Sequence, residues 1–236
     1  MTQIMRRRRS IIIACDVPDL DALDRLLSAT AHIEEIGGYK IGLSLALRYG
    51  LPIIAGRIRA SSTGKVIIYD HQKASRDIPQ TGDLFAQAVR DSDADAMILY
   101  PNPPERDTAL SWLLAARSRN VPVIFGSWMT TPRYASNEGG PYAVNDILAQ
   151  YRQAAECGVR DFVVPGNKID ATLQVVRCVR ELCLDPVLYA PGFGRQGGSL
   201  PAFSARVPGS WHPIIGSDLI DAPDMRERLM RYVEHL

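Results

Sequence analysis

Short runs of continuous apolar residues alternate with amphipathic stretches along the whole chain. Eight runs read as strands, at residues 11–17, 39–41, 66–69, 96–100, 121–125, 162–164, 186–189 and 213–215. Most are apolar at every position instead of every second one, the pattern of parallel strands covered on both faces. Between them apolar residues recur at helical spacing. Leu20, Leu23, Leu26 and Leu27 mark one face of 20–33, and Leu110, Leu113 and Leu114 mark one face of 105–119. The same period runs through 143–157, 169–183 and 225–236. Eight strands each followed by a helix predict an α/β chain folded as a single (β/α)8 TIM barrel. A doubly wound open sheet ranks second, because no G-x-G-x-x-G follows the first strand. Residues 194–211, rich in Gly, Ser and Pro, read as a long loop.

Composition narrows the functional classes. The 236 residues suit one large core, so a barrel catalytic domain is assigned to 11–236 behind a basic N-terminal tail at 1–10. The four arginines Arg6 to Arg9 read as solvated, and the short apolar run after them ends at Asp16, too soon for a secretory signal. A formal charge of +1 makes no case for nucleic acid or membrane binding. No apolar run approaches the roughly 20 residues that span a bilayer. Cys15, Cys157, Cys178 and Cys183 lack C-x-x-C spacing and read as free thiols in a reducing cytoplasm. Together with the scattered histidines they form no zinc set, so no metal is expected.

In a barrel the chemistry lies at the C-terminal ends of the strands. The polar residues there are Asp16, Lys40, the 70–77 segment, 129–132, 165–168, 191–198 and 216–218. The most telling is 70–77, where Lys73 stands between Asp70 and Asp77 just past an apolar strand. A cation between carboxylates is costly as scaffold but suits proton transfer, since the carboxylates favour a charged lysine. Lys40 interrupts an apolar strand. It either pairs with Asp70 on the neighbouring strand or snorkels its amine to solvent. Asp16 either caps or turns the chain before Pro18, or binds a hydroxyl; Asp19 is the better cap. His71 and Gln72 suit substrate contact and a surface loop equally. Glycines 192, 194, 197 and 198 can present backbone N–H groups to an anion where barrels often hold phosphate, with Arg195 and Gln196 as added donors.

Taken together, these residues resemble the orotidine 5′-monophosphate decarboxylase family, in the family's order and through nearly the whole chain. Residues 14–17 (ACDV) resemble its A-L-D-V motif, and 39–42 (YKIG) its V-K-I-G. Asp70, Lys73, Asp77, Ile78, Pro79 and Thr81 resemble D-x-K-x-x-D-I-x-x-T. Residues 129–132 (MTTP) resemble M-S-H-P, and 191–198 (PGFGRQGG) resemble P-G-x-x-x-Q-G-G. The resemblance implies metal-free, cofactor-free loss of CO2 from C6 of a nucleotide monophosphate in pyrimidine biosynthesis. It makes Asp70 the group that presses on the departing carboxylate and Lys73 the proton donor, with Lys40 and Asp77 holding the array. Asp16 is implied at the ribose and Thr130 at the pyrimidine. Pro191, Gly192, Arg195 and Gln196, with Gly216 and Ser217 after the eighth strand, are implied at the phosphate end. It further implies a cytoplasmic homodimer in which Asp77, Ile78 and Thr81 reach the partner's site.

The chain departs from the family pattern in three places. Its D-x-x-K-x-x-x-D carries one extra residue in each gap, so on a continuous strand Asp70 and Lys73 fall on opposite faces unless the chain turns at His71. The arginine of the family's V-G-R-S is absent from Ile215-Gly-Ser-Asp218, which leaves phosphate binding to Arg195. Tyr100-Pro-Asn-Pro103 stands where many members have His and Gly. These departures keep two alternatives open. One is a magnesium-dependent sugar-phosphate lyase or decarboxylase of the same superfamily, of the hexulose-phosphate synthase or ketogulonate-phosphate decarboxylase type. The other is a catalytically altered nucleotide-binding homologue.

Overall fold

A computed structural model describes residues 3–71, 76–101 and 106–236. The elements run β1 (Ile11–Ala14), α1 (Leu20–Thr30), β2 (Ile36–Gly42), α2 (Leu43–Tyr49), α3 (Leu51–Ser61), β3 (Val66–Asp70) and α4 (Thr81–Asp91). They continue with β4 (Ala96–Leu99), α5 (Arg106–Ser118), β5 (Val123–Gly126), α6 (Val144–Glu156), β6 (Asp161–Val163) and α7 (Ile169–Arg180). The last are β7 (Val187–Pro191), α8 (Leu200–Arg206), β8 (Ser210–Ile215), α9 (Ser217–Ile220) and α10 (Met225–Val233). All eight strands are parallel and hydrogen-bond in sequence order into a closed barrel, sealed where Ile12 of β1 pairs with Ile214 of β8.

Two apolar cores follow from the alternation of each strand. The outward residues, among them Ile13, Tyr39, Ile67, Leu99, Phe125 and Phe162, pack under the helices. The inward residues Ile12, Ile68, Ile98, Ile124, Tyr189 and Ile214 fill the barrel with Met5. Strands buried on both faces account for the unbroken apolar runs.

Three expectations change. Residues 194–211 are not one loop: they hold a 3-10 turn at Gly194–Gln196 and the helix α8. Ser199 caps α8 by accepting from Ala202 N, and Pro201 lies in its first turn, where a missing N–H costs nothing. Second, α2 and α3 occupy 43–61 on either side of Gly50, a stretch in which the sequence showed no helix. Third, the segment before β1 is not a free tail. Arg6, Arg7 and Arg8 are exposed, but Met5 is only 2% exposed and plugs the barrel interior. Arg9 stacks over Trp211 at 4.6 Å, and Ser10 Oγ meets His212 Nδ1 at 2.8 Å.

Candidate active site

Three charged residues meet at the mouth of the barrel through the register of its first three strands. Lys40 stands level with Ala14 on β1 and Ile68 on β3, and Gly42 stands level with Asp70. Asp70 therefore lies one inward step above Lys40, and the lysine stem climbs toward it. Lys40 Nζ is 3.0 Å from Asp70 Oδ2 and 3.6 Å from Asp16 Oδ1. Lys40 is 7% exposed and Asp70 4%, so the snorkelling alternative for Lys40 does not hold. Burial opposes the ammonium, but the carboxylates of Asp70 and Asp16 more than offset it and raise the Lys40 pKa. Asp16 is free for a ligand, because Asp19 caps α1 by accepting from Ala22 N at 2.8 Å.

The triad forms one wall of a cavity of about 300 Å³. Thr130 lines it after β5, and Pro191, Gly192 and Gln196 line it from β7 and the loop that follows. Gly216 and Ser217 complete the wall after β8. Gly192 has φ +114°, and a Cβ there would stand 2.9 Å from Thr130 Cγ2 and 3.1 Å from Asn167 N. Only glycine lets the loops after β5, β6 and β7 approach this closely. Asn167 then stitches them together, its Nδ2 donating to Thr130 O at 3.0 Å and Gln196 O at 3.1 Å. Sequence reasoning placed 165–168 on the rim without giving Asn167 a task; the signal lies in contacts between distant loops. Lys168 nearby is structural, held by Glu138 at 2.6 Å and Thr131 O at 2.7 Å.

The other assigned residues are dispersed. Arg195 is outside the cavity lining and pairs at 2.9 Å with Asp221, which does line it. Asp218 lines the cavity as well, its Oδ2 accepting from the Tyr232 hydroxyl at 2.6 Å with Arg228 Nε at 3.8 Å. Asp77 and Ile78 are exposed and Thr81 opens α4; none of the three lines the cavity. Asp77 Oδ1 accepts from Ile78 N, and Thr81 donates to Ile78 O. Lys73 and Gln72 lie outside the described residues. β3 ends at Asp70. His71 is directed elsewhere: its Nδ1 meets the Tyr69 hydroxyl at 2.6 Å, and its ring packs edge-on to Phe85. Burial lowers the His71 pKa.

No family model matches the chain. Solved structures share the architecture. An orotidine 5′-monophosphate decarboxylase of Methanocaldococcus jannaschii, complexed with the inhibitor BMP, superposes with a TM-score of 0.82 over 97% of this chain and 98% of that one, at 21% identity. Among curated proteins, the orotidine 5′-phosphate decarboxylase of Pyrococcus abyssi is 29% identical, covering 92% of this chain and 94% of that protein. That of Thermoplasma volcanium is 30% identical over 214 residues, which are 91% of this chain and 87% of the relative. With a closed eight-stranded barrel, a buried lysine–aspartate pair at its mouth and this degree of identity over most of both sequences, the chain belongs to the orotidine 5′-phosphate decarboxylase family.

Proposed function

We propose that the protein decarboxylates orotidine 5′-monophosphate to uridine 5′-monophosphate in pyrimidine biosynthesis. In a chain of this family, the observation that carries the reading is the Lys40 ammonium held between Asp70 and Asp16 at the floor of the cavity. A substrate carboxylate placed against the buried Asp70 meets like charge and gains by leaving as CO2, while the electron pair stays on C6. Lys73, just past Asp70 in sequence, is assigned as the donor that protonates C6. Lys40 keeps Asp70 in place and supplies fixed positive charge, a preorganised field that needs no rearrangement during the step.

The remaining assignments follow the cavity. Asp16 at the mouth suits a ribose hydroxyl, and Thr130 suits the base. Gly192, Gln196, Gly216 and Ser217 suit the phosphate, with Arg195 swinging from Asp221 to add a cation. Asp77, Ile78 and Thr81 belong in this reading to a homodimer, each completing the partner's site. The exposure of Asp77 and Ile78 supports it: Ile78 is 59% exposed, and Leu43 and Leu47 of α2 and Leu84 of α4 are exposed as well. A soluble cytoplasmic enzyme fits four free cysteines and the fact that, among the described residues, no helix is long and apolar enough to cross a membrane.

The space between Asp16 and Asp70 is taken by Lys40, which favours the metal-free reaction over a magnesium-dependent sugar-phosphate reaction. The test adds orotidine monophosphate in the presence of EDTA and follows the pyrimidine absorbance. Turnover undiminished by EDTA is expected. Turnover only of sugar phosphates with Mg2+, or binding of uridine monophosphate without turnover, overturns the reading.

A further inference from the structure

One polar group in the cavity has no task in the machinery above. Tyr100 follows the last residue of β4 and reaches into the barrel, where it joins the inner cluster and lines the cavity with Asp70 and Lys40. It is only 6% exposed, and its hydroxyl has no hydrogen-bond partner among the described residues. Buried hydroxyls are nearly always paired, because an unpaired one forfeits its hydration with nothing in return.

The neighbouring phenols, by contrast, are satisfied. Tyr151 donates to Val163 O at 2.6 Å and accepts from Ser127 N and Trp128 N. Tyr134 donates to Ser127 O at 2.8 Å. Among these phenols Tyr100 is the exception, and the barrel makes room for its ring. Position 126 on β5 is glycine, and a Cβ there would fall 2.4 Å from the Tyr100 ring. A phenylalanine would fill the same space with no unpaired oxygen. Burial raises the Tyr100 pKa well above its ordinary value, so the phenol stays protonated and available as a donor at physiological pH.

We propose that Tyr100 is a substrate-contacting residue whose hydroxyl donates a hydrogen bond to a carbonyl oxygen of the bound pyrimidine. The inference rests on the decarboxylase reading above and adds to it a determinant of base recognition on β4. The cavity then selects a ligand that carries an acceptor facing β4, and such a ligand supplies the hydroxyl with a partner that the described residues do not.

The test is Tyr100→Phe, with thermal unfolding of the free protein, turnover of orotidine monophosphate and calorimetric binding of uridine monophosphate. The expected result is a melting temperature equal to or above that of the wild type, with kcat/KM and affinity lowered about 10- to 100-fold. An intact variant with unchanged kcat/KM and affinity overturns the assignment while the decarboxylase reading stands. A variant that melts lower also overturns it, since the hydroxyl then serves the fold. A wild-type protein that neither binds uridine monophosphate nor turns over the substrate overturns both.

Discussion

Replacing Lys40 by Met tests whether the central pair is an electrostatic device or a fold-stabilising contact. At 3.0 Å, and with an effective dielectric of about 20, the attraction between Lys40 and Asp70 is roughly 5.5 kcal/mol. Asp16 is farther, at 3.6 Å, and its side chain is 54% exposed, so water screens its share to about 1 kcal/mol. Desolvation of the buried ammonium offsets several kcal/mol of that gain. Removing only the lysine takes from the buried Asp70 a buried cationic partner, at an expected cost of about 3–5 kcal/mol. In a chain of this length the melting temperature then falls by roughly 6–20 °C. The double change Lys40→Met with Asp70→Leu removes the buried carboxylate as well and recovers most of the loss, because a buried pair contributes little beyond its apolar replacement. Decarboxylation stays at least about 10²-fold down in both proteins. Urea unfolding of the three proteins, read alongside turnover, decides the matter. A single variant as stable as the wild type, or a double variant no more stable than the single, refutes the reasoning.

Other outcomes follow from the same structure. His212 is buried, and desolvation pushes its pKa down to about 4. The unfolded chain takes up the proton first, so stability is full above about pH 6.5 and falls by about 3 kcal/mol as pH drops toward 4. His212→Gln flattens that limb in unfolding curves run at pH 7, 6 and 5; an unaltered acid limb contradicts it. Lys40→Met and Asp77→Ala, each inactive alone, regain about a quarter of wild-type activity when unfolded and refolded together, because half of the dimers are mixed and each holds one intact site. Absence of recovery in confirmed mixed dimers removes the shared-site assignment. Asn167→Ala severs two ties between loops and lowers stability by about 1–2 kcal/mol, with KM rising more than kcat falls; a larger effect on kcat places Asn167 in the chemical step instead.

The barrel was legible because both of its signals are local: apolar runs for strands buried on two sides, and helical spacing between them. What escaped was local in another way. α8 is capped by Ser199, and Pro201 inside its first turn looks like a loop residue until the helix around it is seen. The pairing of Lys40 with Asp70 was readable because adjacent parallel strands bring their C-terminal ends to one rim. The tie made by Asn167 was not, since it depends on how the loops after β5 and β7 pack against the one after β6. Nor was the outward turn of His71, which depends on the Phe85 ring and the Tyr69 hydroxyl. Arg195 illustrates the limit of motif logic: the sequence supplies a cation beside the loop, and the fold gives it Asp221 as a resting partner.

The inner cluster that separates Met5 from Lys40 also has a bearing on how such a protein changes over generations. Met5 and His212 are buried away from the mouth, while the charges at the mouth come from three different strands and the loops beyond them. Mutations that steady the base can accumulate without touching the charged array, and that reserve absorbs destabilising exchanges at the mouth. A family motif stretched by a residue in each gap, with Ser217 and Asp218 where the family pattern has arginine and serine, is the kind of drift that this separation permits.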